Sequence, residues 1–393
     1  MGHQLTRAIL QSLRESMNLL LTDGNYKHTL GIARDLGQEG HRVFVQTPKK
    51  GSLTSRSRFC AGEVVVQLTS EKMDSLLSFI SEKQIEAIIP VGADSVQFVA
   101  QHRDQLQGRV EFAVPFIDSI QTALSKELTN QTAQQVGVPI PWTHYPADLD
   151  EVGRLAREIS YPCVVKAKQE MGINVVAYAH DPEDLVKKYA RIMETHGFSA
   201  PELPLIQEYL TGDGVGFFAI YQRGSCGPTF QHHRLREFPP SGGVSVYSES
   251  FYDERVERYG KQMLDALNWH GVAMVEFKLN KAGEPLLLEI NPKFWGSTEL
   301  ALSSGVHFPR LLVNLFHGKT LDFSSTYKLN HRYHWPLHGD LLHGVINMRN
   351  LPKVIGAVLN PRTKSNIWLT DLKPTLGMLK QSLIQAKDYF FKP

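Results

Sequence analysis

The sequence predicts an α/β protein in which a parallel sheet is followed by an α+β region. Two observations lead to this prediction. Apolar strand patterns alternate with helix patterns over residues 17–116, which is typical of a parallel sheet covered by helices on both faces. Residues 274–280 and 285–290 form two further strand patterns. They are joined by the turn Ala282-Gly283-Glu284, which is typical of an antiparallel hairpin.

The N-terminal region begins with an amphipathic helix pattern and continues with strands and helices in alternation. The strand patterns are 17–24, 41–47, 63–68, 85–91 and 110–116, and the helix patterns are 28–40, 70–83 and 94–106. Ligands of such sheets bind beyond the carboxyl ends of the strands, where Asp23-Gly24-Asn25 and Gly92-Ala93-Asp94 lie. Neither a GxGxxG fingerprint nor a GxxxxGK[ST] loop is present, so a nucleotide site must be built differently.

The middle of the chain reads as a small α+β block, and the last part is less regular. One or two helices are predicted over 119–138. Further helices are predicted over 150–159 and 181–196, with strands at 161–168, 173–179, 203–210 and 215–221. Asp181 is a candidate helix N-cap. In the tail, residues 373–389 are predicted to be helical and residues 350–363 to form a loop.

Composition excludes several classes of protein. The 393 residues suffice for two or three domains or subdomains, and the formal charge of +2 argues against nucleic acid or a membrane surface as the main partner. Cys60, Cys163 and Cys226 are far apart, which disfavours a disulfide scaffold and a structural zinc site. No apolar run approaches the length that spans a bilayer. We therefore expect a cytoplasmic protein.

The predicted hairpin carries three oxygen ligands at one end. Glu276 and Glu289 are thirteen residues apart, so antiparallel pairing can bring their carboxylates together, and Asn291 lies on the same strand face as Glu289. Two carboxylates and an amide oxygen suit Mg²⁺, or Mn²⁺, together with nucleotide phosphates. The alternative is an ordinary hairpin with charged residues on its wet face. That alternative accounts for Lys281 and Glu284, but not for Glu289 and Asn291 directly after an apolar run.

Four segments, in their order along the chain, resemble the ATP-grasp superfamily. They are Lys126 in SKELTNQTAQQVGVPIP, Lys166 in YPCVVKAK, LIQEYLTGDG at 205–214, and Glu276 with LEINPKFWGS. The resemblance covers about residues 17–318 and implies an N-terminal parallel-sheet pre-grasp domain followed by a two-lobed ATP-grasp fold. The implied domains are 1–118, 119–319 (a lid lobe about 139–210 and a large lobe about 211–319) and a C-terminal extension, 320–393.

The resemblance also implies how ATP would be held. Lys126 and Lys166 would pair with phosphates as point charges. Residues 166–176 would form the loop that covers the phosphates, and this loop carries Gly172 alone where family members usually have several glycines. The segment between the lobes would contact adenine and ribose, and its candidates are Gln207, Glu208, Tyr209, Leu210 and Asp213.

Three basic residues are candidates for catalysis. Arg234 and Arg236 alternate along a strand pattern before a Pro-Gly loop, so they are predicted to share a face, where they suit a carboxylate or an acyl phosphate. The alternative is an exposed strand whose arginines pair with Glu237 and Glu249. Lys293 lies where the family usually has arginine, so one ammonium replaces a bidentate fork.

These features predict an ATP-dependent ligase that joins a carboxylate to an amine (or thiol) through an acyl phosphate. The expected partners are small-molecule substrates, with no nucleic acid and no membrane, and the resemblance implies a possible homodimer. Two alternatives remain open. One is an enzyme that forms carboxy or carbamoyl phosphate from bicarbonate, although no glutaminase, biotin carrier or second grasp half is evident. The other is a non-catalytic ATP-binding protein with a weakened site.

Overall fold

The computed structural model describes residues 16–169, 175–200, 202–239, 243–321, 323 and 326–391. Within these residues the chain forms three sheets, of four, four and seven strands. The first sheet is parallel and the other two are mainly antiparallel, so the predicted α/β and α+β fold class is confirmed. The helix predicted near the N-terminus lies outside the described residues.

The first sheet has the strand order β3-β2-β1-β4. Its strands are β1 (Asn18–Leu21), β2 (Arg42–Thr47), β3 (Cys60–Val65) and β4 (Ala87–Ile89). The strand predicted at 110–116 is wrong, because this segment contributes one parallel bridge, from Glu111 to Ala87. The carbonyls of Val114 and Pro115 accept hydrogen bonds from the Arg103 guanidinium, at 3.0 and 2.9 Å, in place of a neighbouring strand.

Helices cover both faces of this sheet and lead to the second. They are α1 (Lys27–Gln38), α2 (Met73–Glu82), α3 (Ala93–Gln101), α4 (Arg103–Leu106), α5 (Ile117–Leu124) and α6 (Lys126–Val136). Helix α6 begins after Ser125, whose hydroxyl accepts from the Leu128 amide. It ends at Gly137, which has a φ of +74° that glycine adopts without strain. The one or two helices predicted over residues 119–138 are therefore two, α5 and α6.

The second sheet has the order β5-β8-β6-β7. Its elements are β5 (Thr143–His144), α7 (Leu149–Glu158), β6 (Cys163–Lys166), β7 (Val176–Ala179), α8 (Pro182–His196) and β8 (Leu205–Glu208). Asp181 caps α8 by accepting from the Asp184 amide at 2.8 Å, as predicted. Helices α7 and α8 pack on one face through Val152, Leu185 and Tyr189, which gives the block its own small core.

The third sheet is the largest, with the order β13-β12-β9-β10-β11-β14-β15. Its first five strands along the chain are β9 (Gly214–Gln222), β10 (Ser225–Phe238), β11 (Val244–Ser250), β12 (Gly271–Leu279) and β13 (Pro285–Asn291). Helices α9 (Glu254–Ala266), α10 (Thr298–Ser304) and α11 (Phe308–Phe316) accompany them. A shared core that includes Leu19, Phe218 and Phe308 joins this sheet to the first one.

The C-terminal residues complete the third sheet and return to the first. Their elements are β14 (Arg332–His334), α12 (Asp340–Ile346), α13 (Leu351–Leu359), β15 (Lys364–Ser365) and α14 (Leu372–Phe391). The loop predicted at 350–363 is wrong over α13. Pro352 lies in the first turn, where its missing N–H breaks no helical hydrogen bond, and Val354 and Ala357 are buried. Among the described helices, none has both the length and the apolar composition that crossing a bilayer requires.

Candidate functional site

The hairpin of β12 and β13 brings the two predicted carboxylates together. Glu276 lies directly opposite Glu289, in the register that the thirteen-residue spacing predicts. The turn is closed by Asn280, whose side-chain oxygen accepts from the amides of Ala282 and Glu284, at 2.9 and 3.0 Å. Opposed residues of an antiparallel pair are close neighbours, so the two carboxylates face one cavity side by side.

Each carboxylate already has a polar partner. Arg234 donates to Glu276 at 2.6 Å, and the Asn291 amide donates to Glu289 at 3.0 Å. Burial raises the pKa of Glu276, against the opposing effect of Arg234. Burial also acts to raise the pKa of Glu289, but the Lys126 ammonium, the hydrogen bond from the Asn291 amide and two further lysines lower it below its ordinary value. Glu289 is therefore the more strongly anionic of the pair.

The donor set of this hairpin fits a hard divalent cation. In the part of the chain that the structure describes, no three His, Cys, Asp or Glu side chains are grouped so as to hold a metal ion. A cation bound by Glu276 and Glu289 would therefore depend on the Asn291 amide oxygen and on further oxygens from water or a phosphate. Mg²⁺ commonly binds in this way, with few protein ligands and the rest of its shell supplied by water and substrate phosphate.

Two lysines lie near the acidic pair. Lys126, at the start of α6, has its ammonium 3.8 Å from a Glu289 oxygen. Lys166, at the end of β6, donates to the Gln207 side-chain oxygen at 2.9 Å. Burial lowers the pKa of Lys166 to about 8. Phosphates bound next to these groups would meet the positive charge of the lysines and the oxygen ligands of the hairpin.

The end of β8 and the residues that follow it also face this space. Gln207 is 2% exposed, and its amide nitrogen donates to the Thr143 hydroxyl at 3.0 Å, which fixes the oxygen that meets Lys166. Glu208 accepts from the Trp142 amide at 3.4 Å. Tyr209 is half-exposed and stands edge-on to Tyr178, at 5.4 Å between ring centroids. This polar and aromatic edge suits a nucleoside.

A cavity of about 810 Å³ joins these groups. That volume lies within the range of nucleotide-sized ligand pockets. The predicted site residues on its wall are Lys126, Lys166, Gln207, Glu208, Tyr209, Leu210, Arg234, Glu276, Glu289, Asn291 and Lys293. Eleven of the fourteen predicted site residues therefore lie around one space, although they come from distant parts of the chain.

Arg236 does not line this cavity. A bulge in β10 pairs Arg234 with Ser248 but Arg236 with Tyr247, so the two arginines do not keep the simple alternation that the sequence predicts. The Arg236 guanidinium donates to both oxygens of Asp340, at 2.6 and 2.8 Å, and lies over the Tyr247 ring. Its place outside the cavity lining, with two of its donors bound to the buried Asp340, does not support the predicted catalytic role of Arg236.

The structure does not place two other candidates on the cavity wall, for different reasons. Asp213 has a side chain that is 67% exposed and pairs with His233 at 3.1 Å, so its predicted contact with a ribose is not supported. Gly172 lies outside the described residues, together with most of the predicted phosphate-covering loop. The remaining part of that loop, at Gln169 and Val175, reaches the cavity wall.

The cavity wall also contains residues that were not predicted as site residues. Lys27 donates to the Ser245 carbonyl at 3.2 Å and lies 4.4 Å from the centroid of the Trp335 ring. Its neighbours His28 and His338 also line the cavity, and burial lowers the pKa of each to about 3, so both are neutral. The sequence does contain a signal that could have identified Lys27 as a site residue. Lys27 lies two residues after Asn25, the last residue of a turn at which ligands are predicted to bind.

Comparison with known proteins agrees with this arrangement. Residues 233–335 match a family model described as ATP-grasp in the biosynthetic pathway with Ter operon. The N-terminal section of the carbamoyl phosphate synthase large chain from Methanopyrus kandleri is 24% identical over 259 residues. These cover 62% of this chain and 45% of that protein. A formate-dependent phosphoribosylglycinamide formyltransferase from Ignicoccus hospitalis is 24% identical, with 72% of each chain covered.

A solved structure shares the fold. The biotin carboxylase from Campylobacter jejuni, in complex with β,γ-ATP, superposes with a TM-score of 0.66 at 17% identity, covering 81% of this chain and 75% of that one. The family match over residues 233–335 and the two relatives support the ATP-grasp resemblance that the four sequence segments carry, and the solved structure shows that the fold is shared. It spans about half the length of several curated relatives that it matches.

The ammonium of Lys166 provides a test of the nucleotide site. We expect Lys166→Met to weaken MgATP binding about tenfold or more, because a phosphate loses a buried cationic partner. In the unmodified protein the pKa near 8 means that affinity falls as the pH rises beyond about 8, with proton uptake on binding. Calorimetric titrations in buffers of different ionisation enthalpy measure both effects.

Lys187→Met is the matched control for this test, because Lys187 is exposed on α8 of the same lobe. It is expected to bind MgATP like the unmodified protein and to keep the same proton uptake. An unchanged affinity in Lys166→Met would show that the Lys166 ammonium does not contact the nucleotide.

Proposed function

We propose that this protein is an ATP-dependent ligase that activates a carboxylate as an acyl phosphate and transfers the acyl group to an amine. The observation that carries the proposal is the single cavity in which lysines from α6 and β6 oppose the paired carboxylates of the β12–β13 hairpin. Phosphoryl transfer depends mainly on positioning and charge stabilisation, and this cavity supplies both.

Each part of the cavity has a role in this proposal. Gln207, Glu208, Tyr209 and Leu210 receive the adenosine portion, while Lys126 and Lys166 hold its phosphates. Glu276, Glu289 and Asn291 hold Mg²⁺. When bound, the metal would neutralise charge on the terminal phosphates.

Arg234 and Lys293 are the cationic groups nearest to the reacting centre in this proposal. Arg234 is buried and fixed by Glu276, so its guanidinium is preorganised. A carboxylate oxygen of the substrate attacks the γ-phosphorus, and ADP leaves with the bridging oxygen. The two cationic side chains hold the acyl phosphate while a neutral amine attacks its carbonyl carbon. The carbon–oxygen bond to phosphate breaks, and the products are an amide and hydrogen phosphate, which takes up the proton that the amine nitrogen loses.

The part of the cavity around Lys27 is suited to the carboxylate substrate. An ammonium has three donors, and Lys27 uses one of them for the Ser245 carbonyl. The neutral rings of His28 and His338 and the indole of Trp295 form the surrounding wall. The Lys27 ammonium beside aromatic rings favours a substrate with an anionic group and an apolar body.

The proposal is tested by substrate-dependent phosphate release. The protein is incubated with Mg-ATP and pooled carboxylates, with and without pooled amines, and hydroxylamine is added in a parallel reaction to trap an acyl phosphate. We expect phosphate release to require a carboxylate pool and to be accompanied by a hydroxamate. Glu289→Ala provides the background rate.

The two alternative functions give different results in the same experiment. Phosphate release that depends on bicarbonate and on no other carboxylate would favour a carboxy-phosphate-forming enzyme. Tight ATP binding that requires Glu289, without release for any pool, would favour a nucleotide sensor. Absence of both ATP binding and phosphate release would contradict the proposal.

A further inference from the structure

Exposed apolar side chains are concentrated near the end of the chain. Among the described residues, 24 large apolar side chains are exposed, and 13 of them lie between residues 341 and 384. Monomeric soluble proteins rarely expose large contiguous apolar patches unless these serve an interaction. We therefore expect a binding partner to cover these side chains. The chemistry of that partner is clearest from helix α14.

Helix α14 has one apolar stripe that faces away from the protein. Its members, Leu372, Leu376, Leu379 and Leu383, follow a spacing of four, three and four residues. They are 51, 67, 44 and 65% exposed. This spacing places all four side chains along one line of the helix surface. The stripe is longer than three turns and has no covering element within the described residues.

The other face of α14 is anchored. Met378 is fully buried and packs with Leu30 and Leu53 of the first-sheet region. The Ser382 hydroxyl donates to the Leu337 carbonyl, and Gln381 lines the cavity of the proposed active site. The leucine stripe is therefore held in a fixed orientation on the outside of the protein, and the same helix forms part of the cavity wall.

The charge around the stripe is strongly one-sided. Residues 341–393 contain eight Lys and Arg residues but two Asp and Glu residues, a net charge of +6 in a chain whose total is +2. One of the two acidic residues, Asp371, forms a buried ion pair with Arg34 at 2.9 Å and so does not pair with the exposed lysines. Lys373, Lys380 and Lys387 are spaced by seven residues, so they line one flank of the leucine stripe.

We propose that the outer face of α14 rests on an anionic lipid surface. Leucines beside a row of lysines are the pattern of an interfacial helix, in which the leucines enter the headgroup boundary and the lysines meet lipid phosphates. A second copy of the chain fits less well, because two such helices in antiparallel contact would bring lysines together without acidic partners. The whole-chain charge of +2 argues against a membrane surface only as an average. The positive charge of residues 341–393 is offset by negative charge elsewhere in the chain.

This contact is peripheral and does not require a membrane-spanning helix, in agreement with the absence of such a helix from the described residues. It would leave the inner face of α14 packed against the protein, as Met378 requires. The inference does not rest on the proposed ligase activity, because it depends on the outer face of α14 alone.

Vesicle co-sedimentation of the full chain tests the inference. We expect binding to vesicles that contain phosphatidylglycerol, weaker binding at high salt, and little binding to pure phosphatidylcholine. The double variant Leu376→Ser/Leu383→Ser and the double variant Lys373→Glu/Lys380→Glu should each reduce binding at least about tenfold, since they remove the apolar and the electrostatic contribution separately.

Val186→Ser is the matched control, because Val186 is 43% exposed on α8, in another lobe. It should bind vesicles like the unmodified protein. Thermal unfolding of every variant checks that the fold is kept, which is expected because the substituted side chains are exposed.

Three outcomes would overturn the inference. The first is an unmodified protein that binds neither kind of vesicle. The second is self-association in sedimentation equilibrium that the leucine substitutions abolish, without vesicle binding, which would assign the stripe to a second copy. The third is vesicle binding that both double variants retain, which would place the contact elsewhere on the chain.

Discussion

Replacing Glu289 by glutamine is expected to lower ATP turnover by about 10² to 10³-fold, because preorganised charge at a phosphoryl-transfer site contributes on this scale. Glu289 is the more anionic member of the opposed pair, and it is held in that state by nearby lysines such as Lys126 and by the hydrogen bond from the Asn291 amide. Glutamine keeps its size and removes its charge. The Lys126 ammonium would lose its nearby anion and the metal would lose a carboxylate ligand.

The change is measured as ADP release under saturating substrate, with the Mg²⁺ concentration varied. A partial recovery at high Mg²⁺ is expected, since a weaker cation site fills at a higher concentration. Lys281→Ala is the matched control, because Lys281 is exposed at the turn of the same hairpin. If Glu289→Gln kept its turnover and its Mg²⁺ dependence, the hairpin would not be the metal site.

Removing the carboxylate of Asp371 is expected to lower the free energy of unfolding by about 3–5 kcal/mol, which is typical when one partner of a buried ion pair is lost. Arg34 is buried and donates to Asp371 at 2.9 Å. The Ser57 hydroxyl and the Arg58 amide donate to the same carboxylate, at 2.7 and 3.0 Å. Asp371→Ala would leave a buried guanidinium without its anion.

Denaturant titration measures the change, and a second variant separates charge from packing. Arg34→Met/Asp371→Leu removes both charges together, so it should lose less stability than Asp371→Ala. Asp388→Ala, in the same C-terminal region, is the control for loss of an acidic residue. Equal losses in the single and double variants would show that the lost stability comes from packing.

The same carboxylate predicts a pH dependence. Burial acts to raise the pKa of Asp371, but hydrogen bonds from Arg58, Ser57 and Arg34 lower it below its ordinary value. Its contribution to stability is therefore present above the unfolded pKa, near 4, and is lost as the pH falls through the lower folded value. Asp371→Ala should flatten this part of the stability profile, which lies below about pH 4.

Most of the fold was predictable because its local signals agree with its packing. The alternating elements of the first sheet, the hairpin of Glu276 and Glu289, and the Asp181 cap all follow from spacing and side-chain type. The helix α13 was missed because Pro352 and the flanking asparagines suggest a loop. Burial of Val354 and Ala357, which no local pattern reveals, stabilises that helix instead.

Parts of the candidate site depend on features that a single sequence does not encode locally. Arg236 follows the same alternation as Arg234, but an extra residue in the ladder of β10 and a buried Asp340, 104 residues later, redirect it. Lys27 is an isolated lysine at the start of a helix. Its burial and its position over Trp335 arise from residues more than 200 positions away.

The strands β14 and β15 limit how far the protein can be truncated from its C-terminal side. Tyr247, Ser248 and Glu249 of β11 pair with β14, and β15 then covers the other side of β14. A fragment that ends near residue 319 would leave β11 as a bare edge, and open edges recruit strands from other chains. It would also remove Trp335, whose indole donates to the buried Glu299 at 2.6 Å. Expression of an isolated grasp region is therefore expected to yield aggregates unless the chain extends beyond residue 365.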